Sequence, residues 1–258
     1  MFIILSIVGL VVGGAAALTM DSVSMRKIDL GGGRVMSVAE PKENVAAADA
    51  AVAEILGIAV DAIKAQRKAL ASYDNAEGQK LWPASVAFAR MLTGSMVKGR
   101  RVIELGAGLG VVGVAAALAG AEKVTLTDFQ PKSLELAEIT AKANGVSSAI
   151  FSTRLLDWNH PGDLASLGPY DLVLASDVLY DKALTRVLVR DVIAPLLLSH
   201  PRDRTRPEPR ALLVDPPLRP SRSLLPEICA ECGLYWGGEA PVREAKEGDT
   251  VVINLLRG

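Results

Sequence analysis

Cysteine and histidine are nearly absent from this 258-residue chain, which holds only Cys229, Cys232, His160 and His200. So few thiols exclude a secreted scaffold built on disulfides. So few thiols and imidazoles together argue against a Cys/His metal cluster, and no metal is expected. An excess of charge of one sign is also lacking: 28 basic and 29 acidic residues leave a formal net charge of −1. No overall field draws the chain to nucleic acid, and no nucleic-acid partner is expected. Aromatic residues make up only 4%, so the three tryptophans, Trp82, Trp158 and Trp236, are landmarks. Half of the residues are hydrophobic, and the length suits one α/β domain with a modest extension.

Charged side chains are missing from residues 1–20, MFIILSIVGLVVGGAAALTM. The apolar run is long enough for the core of a signal peptide and marginal for a membrane span. Ala15, Ala16 and Ala17 offer small residues for cleavage, but no basic residue precedes the run. Three readings stay open: a cleaved targeting segment, a membrane anchor, or an untranslated extension upstream of Met20 or Met25. The first two imply an organelle, such as a plastid, or membrane contact through residues 1–19; otherwise the location is cytoplasmic.

Residues 21–78 form an extension. Met25 to Pro41 is Gly-rich and reads as irregular, with a short strand at Arg34–Val38. Val45–Ser72 is Ala-rich and carries Val52, Ile55, Leu56, Ala59 and Ile63 at helical spacing, after an N-capping Asn44. Tyr73–Gly78 is a polar turn that marks the boundary of a domain over residues 79–258. There the pattern alternates. Helices are expected over Pro83–Val97, Leu109–Leu118, Pro131–Asn144, Lys182–Leu198 (kinked near Pro195) and Ser221–Cys232. Strands are expected at Arg101–Leu105, Lys123–Thr127, Ala149–Leu156, Tyr170–Ala175, Ala211–Val214 and Val251–Leu255, with Leu234–Trp236 pairing with the last. Such alternation implies an α/β, doubly wound, Rossmann-like sheet of mostly parallel strands with helices on both faces. Ligands bind beyond the carboxyl ends of such strands.

The sharpest motif is Glu104-Leu105-Gly106-Ala107-Gly108-Leu109-Gly110, where a strand runs through a glycine loop into a helix. The glycines permit a tight turn and close backbone approach to a ligand, and the helix start presents unpaired N–H groups. Twenty residues after Gly108, Asp128 ends the next strand, where a carboxylate can hold both hydroxyls of a ribose. Strand, loop, helix, strand and terminal Asp point to an adenosine cofactor, without separating a dinucleotide from others.

From Leu81 onward the chain resembles the seven-strand methyltransferases, and among them the family-16 protein-lysine methyltransferases. Four blocks carry the resemblance in order: Leu81-Trp82-Pro83-Ala84-Ser85, Glu104–Gly113, Leu155-Leu156-Asp157-Trp158, and Tyr170–Tyr180 with its D-x-x-Y at Asp177 to Tyr180. The resemblance implies S-adenosylmethionine as cofactor and a protein lysine as substrate. It implies that Gly106, Ala107 and Gly108 pass the methionine part of the cofactor, that Glu104 supports their loop, and that Asp128 binds the ribose. Asp157 and Trp158 would lie by the adenine, Ser176 on the cofactor, and Trp82 would close over it from the N-terminal side. Asp177 and Tyr180 would face the substrate as the catalytic pair. A methyltransferase for small molecules or other nucleophiles, and a cofactor-binding scaffold without turnover, are the alternatives. Plainer roles compete residue by residue: core packing for Trp82, Trp158 and Tyr180, a helix cap before Lys182 for Asp177, and a turn for Asp128.

Other features lie outside that pattern. Cys229-Ala230-Glu231-Cys232 closes a helix instead of opening one after a strand, so it reads as core packing and not as a redox motif. Asp215-Pro216-Pro217 resembles the Asp-Pro-Pro-aromatic motif of methyltransferases acting on nucleic-acid bases, but it follows the fifth strand and Leu218 replaces the aromatic. It is given no role. The Pro/Arg-rich run from His200 to Arg210 reads as a solvated loop, with a dock for an acidic partner protein as the alternative. The helix at 45–72 does not match the N-terminal hairpin usual in the family.

Overall fold

The computed structural model describes residues 23–42, 79–162, 164–199, 205–216, 218–242 and 251–257. The apolar segment at 1–20 and the helix expected over 45–72 lie outside the described residues. Among those described, no helix is long and apolar enough to cross a membrane.

Five strands run parallel, four of them almost wholly buried and the edge strand Phe151–Leu155 half-exposed, each joined to the next by a crossover connection. They are β3 (Arg101–Leu105), β4 (Lys123–Asp128), β5 (Phe151–Leu155), β6 (Leu172–Ser176) and β7 (Arg210–Asp215). Two further strands, β8 (Leu234–Pro241) and β9 (Val251–Arg257), complete a seven-stranded sheet in the order β5-β4-β3-β6-β7-β9-β8, with β9 antiparallel to both neighbours. The chain leaves β3 toward one edge and returns from β6 toward the other, so the winding reverses between β3 and β6. That reversal opens a crevice at the carboxyl ends of the strands.

Helices α1 (Pro83–Met91), α3 (Val111–Leu118) and α4 (Pro131–Ala143) cover one face. α5 (Lys182–Val187) leads onto the other face, which is covered by residues 188–193, α6 (Ala194–Leu198) and α7 (Leu225–Glu231), packed against Ile103, Val173 and Leu213. The helix expected over Pro83–Val97 breaks at Leu92, whose extended backbone ends α1, and resumes as the short α2 (Gly94–Val97). The segment expected as one kinked helix at Lys182–Leu198 holds a π-type turn at Leu188–Ile193, just ahead of Pro195. Proline has no N–H to give to the preceding turn, and the wider turn absorbs that defect.

The N-terminal extension differs from expectation. Residues expected to be irregular form an antiparallel hairpin, β1 (Val23–Gly31) and β2 (Arg34–Pro41). Ile28, Leu30, Met36 and Val38 share its buried face, while Arg26, Lys27 and Asp29 are exposed. The hairpin is held by a partner distant in sequence. Thr140 Oγ1 on α4 accepts from Ala39 N (3.0 Å), and Asn144 both accepts from Ser37 N (2.9 Å) and donates to Ser37 O (2.6 Å). Three glycines and a half-polar pattern disguise strands whose apolar face packs against α1 and α4.

At the opposite end from the crevice, Asp171 is fully buried and ties three segments together. It accepts from Arg101 N (2.7 Å) and from the Arg206 guanidinium on both oxygens (3.1 Å each). Arg206 also reaches Glu122 (2.8 Å). Part of the Pro/Arg-rich run is therefore pinned to the sheet instead of solvated throughout. The Cys229 thiol is buried in the core, and that burial, helped by Cys232, pushes its pKa up to about 12, as packing and not redox chemistry requires.

Candidate active site

Strand register sets the site. Leu105 lies beside Thr127 and Ala175, Asp128 beside Leu155, and Ser176 beside Val214. Glu104, Asp128, Asp157, Ser176 and Asp177 are therefore gathered at one edge of the sheet from positions more than seventy residues apart in sequence.

The glycine loop forms because Gly106 adopts φ +68°, a conformation that costs an L side chain energy. The loop is held by Ala107 N donating to Thr127 O (2.9 Å) and by Gly108 N donating to Asp128 Oδ2 (2.9 Å). Beneath it, Glu104 is buried and accepts from Gly113 N on α3 (2.7 Å). Burial pushes its carboxyl up to about 8, against the pull of that N–H, and the Asp128 charge adds to the rise. Glu104 thus braces the loop from below and does not line the cavity. Gly113 allows this: a Cβ there would stand 2.5 Å from Leu126 Cδ1 and 2.7 Å from Glu104 Oε2. Gly113→Ala is expected to lower the melting temperature by several degrees, because neither neighbour has room to retreat. Thermal denaturation of the purified variant measures it; an unchanged midpoint would mean that the β3–α3 packing is looser than described.

Asp128 is 5% exposed, and its second oxygen accepts from Gln130 N (2.9 Å). Burial raises its pKa, opposed by the N–H groups of Gln130, Gly108 and Phe129. It does close a turn, as its plainer reading held, but it also lines the cavity.

That cavity has a volume of about 570 Å³, within the range of sites for nucleoside-sized ligands. Its walls include ten of the eleven candidate residues: Trp82, Gly106, Ala107, Gly108, Asp128, Asp157, Trp158, Ser176, Asp177 and Tyr180. Trp82 precedes α1 and is 36% exposed, so it is not a core aromatic. Trp158 packs partly on the core and partly against the loop, where a Cβ on Gly106 would come within 3.1 Å of its ring. Asp157 is half-exposed and accepts from Asn159 N (2.9 Å) and pairs with His160 (3.2 Å), which fixes the turn bearing Trp158. Leu156 N donates to Asp128 O (2.9 Å) and joins the two walls.

At the far end of the cavity stands the loop after β6. Asp177 is the one non-glycine among the described residues with a left-handed backbone, φ +57°. It does not cap the next helix; Asp181 does, accepting from Leu184 N (2.8 Å). The Asp177 carboxylate instead accepts from the Arg219 guanidinium, which also lines the cavity. Tyr180 is 52% exposed, so its ring is not core packing. Partial burial raises its phenol pKa, as do the charges of Asp128 and Asp181, while Arg219 lowers it.

Sequence reasoning missed two residues here. Asp215, given no role, is fully buried at the end of β7 and accepts from Val178 N (3.4 Å) and Leu179 N (3.1 Å), so it holds the Asp177–Tyr180 loop in place. Burial pushes its carboxyl up to about 7. Its place at the end of a strand, like that of Asp128, was the available signal. Arg219 follows in an irregular loop, and nothing in the local sequence marks it.

A doubly wound sheet with a glycine loop at the winding reversal, an acid ending the next strand and a cavity across both is the architecture of the class I methyltransferases. Magnesium protoporphyrin IX methyltransferase from Synechocystis, solved with bound SAM, shares it: TM-score 0.50 and 19% identity, over 68% of this chain and 78% of that one. The chain belongs to the lysine methyltransferase family, whose model matches residues 64–201. Among relatives, protein N-lysine methyltransferase METTL21A of Danio rerio is 42% identical over 105 residues, 39% of this chain and 47% of its own length. EEF1A lysine methyltransferase 3 of Mus musculus is 36% identical over 103 residues, 39% of this chain and 43% of its own. The chain thus spans about half the length of the relatives it matches.

Proposed function

We propose that this protein transfers a methyl group from S-adenosylmethionine to a lysine side chain of a protein. The observation that carries the reading is the single cavity wall that runs from the glycine loop and Asp128 to Asp177 and Tyr180, in a chain of the lysine methyltransferase family. The residues present suit the cofactor. Asp128 is a buried carboxylate with lone pairs left for two ribose hydroxyls, the Gly106–Gly108 backbone suits the methionine part, and Leu156 and Trp158 offer an apolar slot for adenine. Ser176 and Trp82 border the remaining sides.

When bound, the cofactor supplies a methyl group already activated on a sulfonium. The chain then needs only to exclude water, to align the acceptor, and to keep its nitrogen neutral. Alignment is the largest contribution. An ordinary lysine amine has a pKa of about 10.4, so its lone pair must be freed by desolvation. Trp82, Trp158 and Tyr180 provide apolar walls for that, Asp177 accepts a hydrogen bond from the amine, and Tyr180 borders the entry. The uncharged segment at 1–20 supports a targeted or membrane-associated location, which N-terminal sequencing of the mature protein tests.

Titration calorimetry with purified protein tests the cofactor. S-adenosylmethionine and S-adenosylhomocysteine are expected to bind at one site, each displacing the other. Binding of a nicotinamide dinucleotide with no affinity for either would overturn the methyltransferase reading in favour of a dehydrogenase.

A further inference from the structure

The Asp177 carboxylate poses a chemical problem for the reaction proposed above. A bare carboxylate beside an amine favours the ammonium form, and an ammonium has no lone pair with which to accept a methyl group. The chain holds a countercharge at that point. Arg219, from the segment after β7, pairs with Asp177. Its Nε is buried without a hydrogen-bond partner and stands 3.9 Å from Asp215 Oδ1. The guanidinium thus lies between two carboxylates, and both Asp177 and Arg219 open onto the cavity. A guanidinium stays charged at any pH the protein survives, so the countercharge is permanent.

The other charged groups around this point are engaged elsewhere or are distinct in position. Asp128 accepts from Gly108 and Gln130 N–H, Asp157 from Asn159 N–H, and Asp181 from Leu184 N–H. Asp215 holds the N–H groups of Val178 and Leu179. Lys80 lines the cavity beside Trp82, and the Tyr180 phenol completes the set.

We propose that Arg219 is a positioning residue that cancels the charge of Asp177, so that the carboxylate aligns the acceptor amine without holding it as an ammonium. Asp177 then acts as a hydrogen-bond acceptor whose charge is met by Arg219, and the site selects the neutral amine. The left-handed backbone of Asp177 and the grip of Asp215 on the following two N–H groups keep the pair in register.

The inference rests on the methyltransferase reading, and the test separates the two. n-Butylamine, which is the lysine side chain from Cβ outward, is titrated into the full-length protein saturated with S-adenosylhomocysteine, from pH 7 to pH 10. With the wild type, affinity rises as the amine loses its proton. With Arg219→Gln, the uncompensated carboxylate favours the ammonium form, and affinity stays level or falls over the same pH range. Arg219→Lys keeps the charge and the wild-type profile. The double variant Asp177→Asn/Arg219→Gln removes both charges and returns to preferring the neutral amine. An Arg219→Gln profile parallel to the wild type, weaker by one factor at every pH, overturns the proposal and leaves Arg219 a structural tie. Failure of the wild type to bind n-butylamine while holding S-adenosylhomocysteine also overturns it, but spares the cofactor reading. Failure to bind S-adenosylhomocysteine sinks both.

Discussion

Asp128→Ala is expected to weaken S-adenosylmethionine binding about a hundredfold or more. The carboxylate is placed to accept from two ribose hydroxyls, and hydrogen bonds to a charged group contribute about 1.5–3 kcal/mol each, where about 1.4 kcal/mol is a factor of ten. The same side chain accepts from Gly108 N and Gln130 N, so its loss also frees the tip of the glycine loop. Asp128→Asn keeps one acceptor oxygen and is expected to fall between the two. Calorimetry reads the affinity, and a parallel melting curve separates a lost contact from a lost fold. An Asp128→Ala protein that melts normally and binds with wild-type affinity would mean that the ribose lies elsewhere.

The second large effect falls on turnover. Asp177→Asn is expected to lower kcat about a hundredfold while changing cofactor affinity little. Asparagine is the informative replacement because it tolerates the left-handed backbone that residue 177 adopts, so strain does not confound the result. It removes the charge that pairs with Arg219, so the guanidinium is no longer held in place and the acceptor is misaligned. Steady-state kinetics with the cofactor and the methyl-accepting protein measures this. Unimpaired kcat would strip Asp177 of any part in the reaction, since the structure has already given the helix-capping role to Asp181.

The sheet was legible in the sequence because most of its strands carry short apolar runs between breakers such as glycine, proline and asparagine. Arg101–Leu105 is found where expected, and Lys123–Asp128 and Leu172–Ser176 nearly so. The site was legible where a motif ends a strand: Gly106, Asp128 and Asp177 all come from that position, and all line the cavity. Glu104 was placed under the loop by the family resemblance, and the hydrogen bond to Gly113 gives that placement its physical form. What escaped depends on partners far along the chain. The hairpin at 23–41 packs on α1 and α4 and is tied by Thr140 on α4 and by Asn144 at its end. Arg206 is anchored by Asp171, thirty-five positions earlier. Asp215 and Arg219 matter because β7 lies next to β6 in the sheet, an adjacency no local pattern contains. A breaker-rich segment such as Asp215-Pro216-Pro217 invites a comparison of motifs, whereas its function in the fold is to grip two backbone amides of the neighbouring loop.

The most direct test of the account is transfer itself. Purified full-length protein is incubated with methyl-labelled S-adenosylmethionine and a cell extract, and the labelled protein fraction is hydrolysed to amino acids. The account predicts label in methylated lysine, reduced about a hundredfold in initial rate with Asp177→Asn. Label confined to small molecules, or to an amino acid other than lysine, would contradict it.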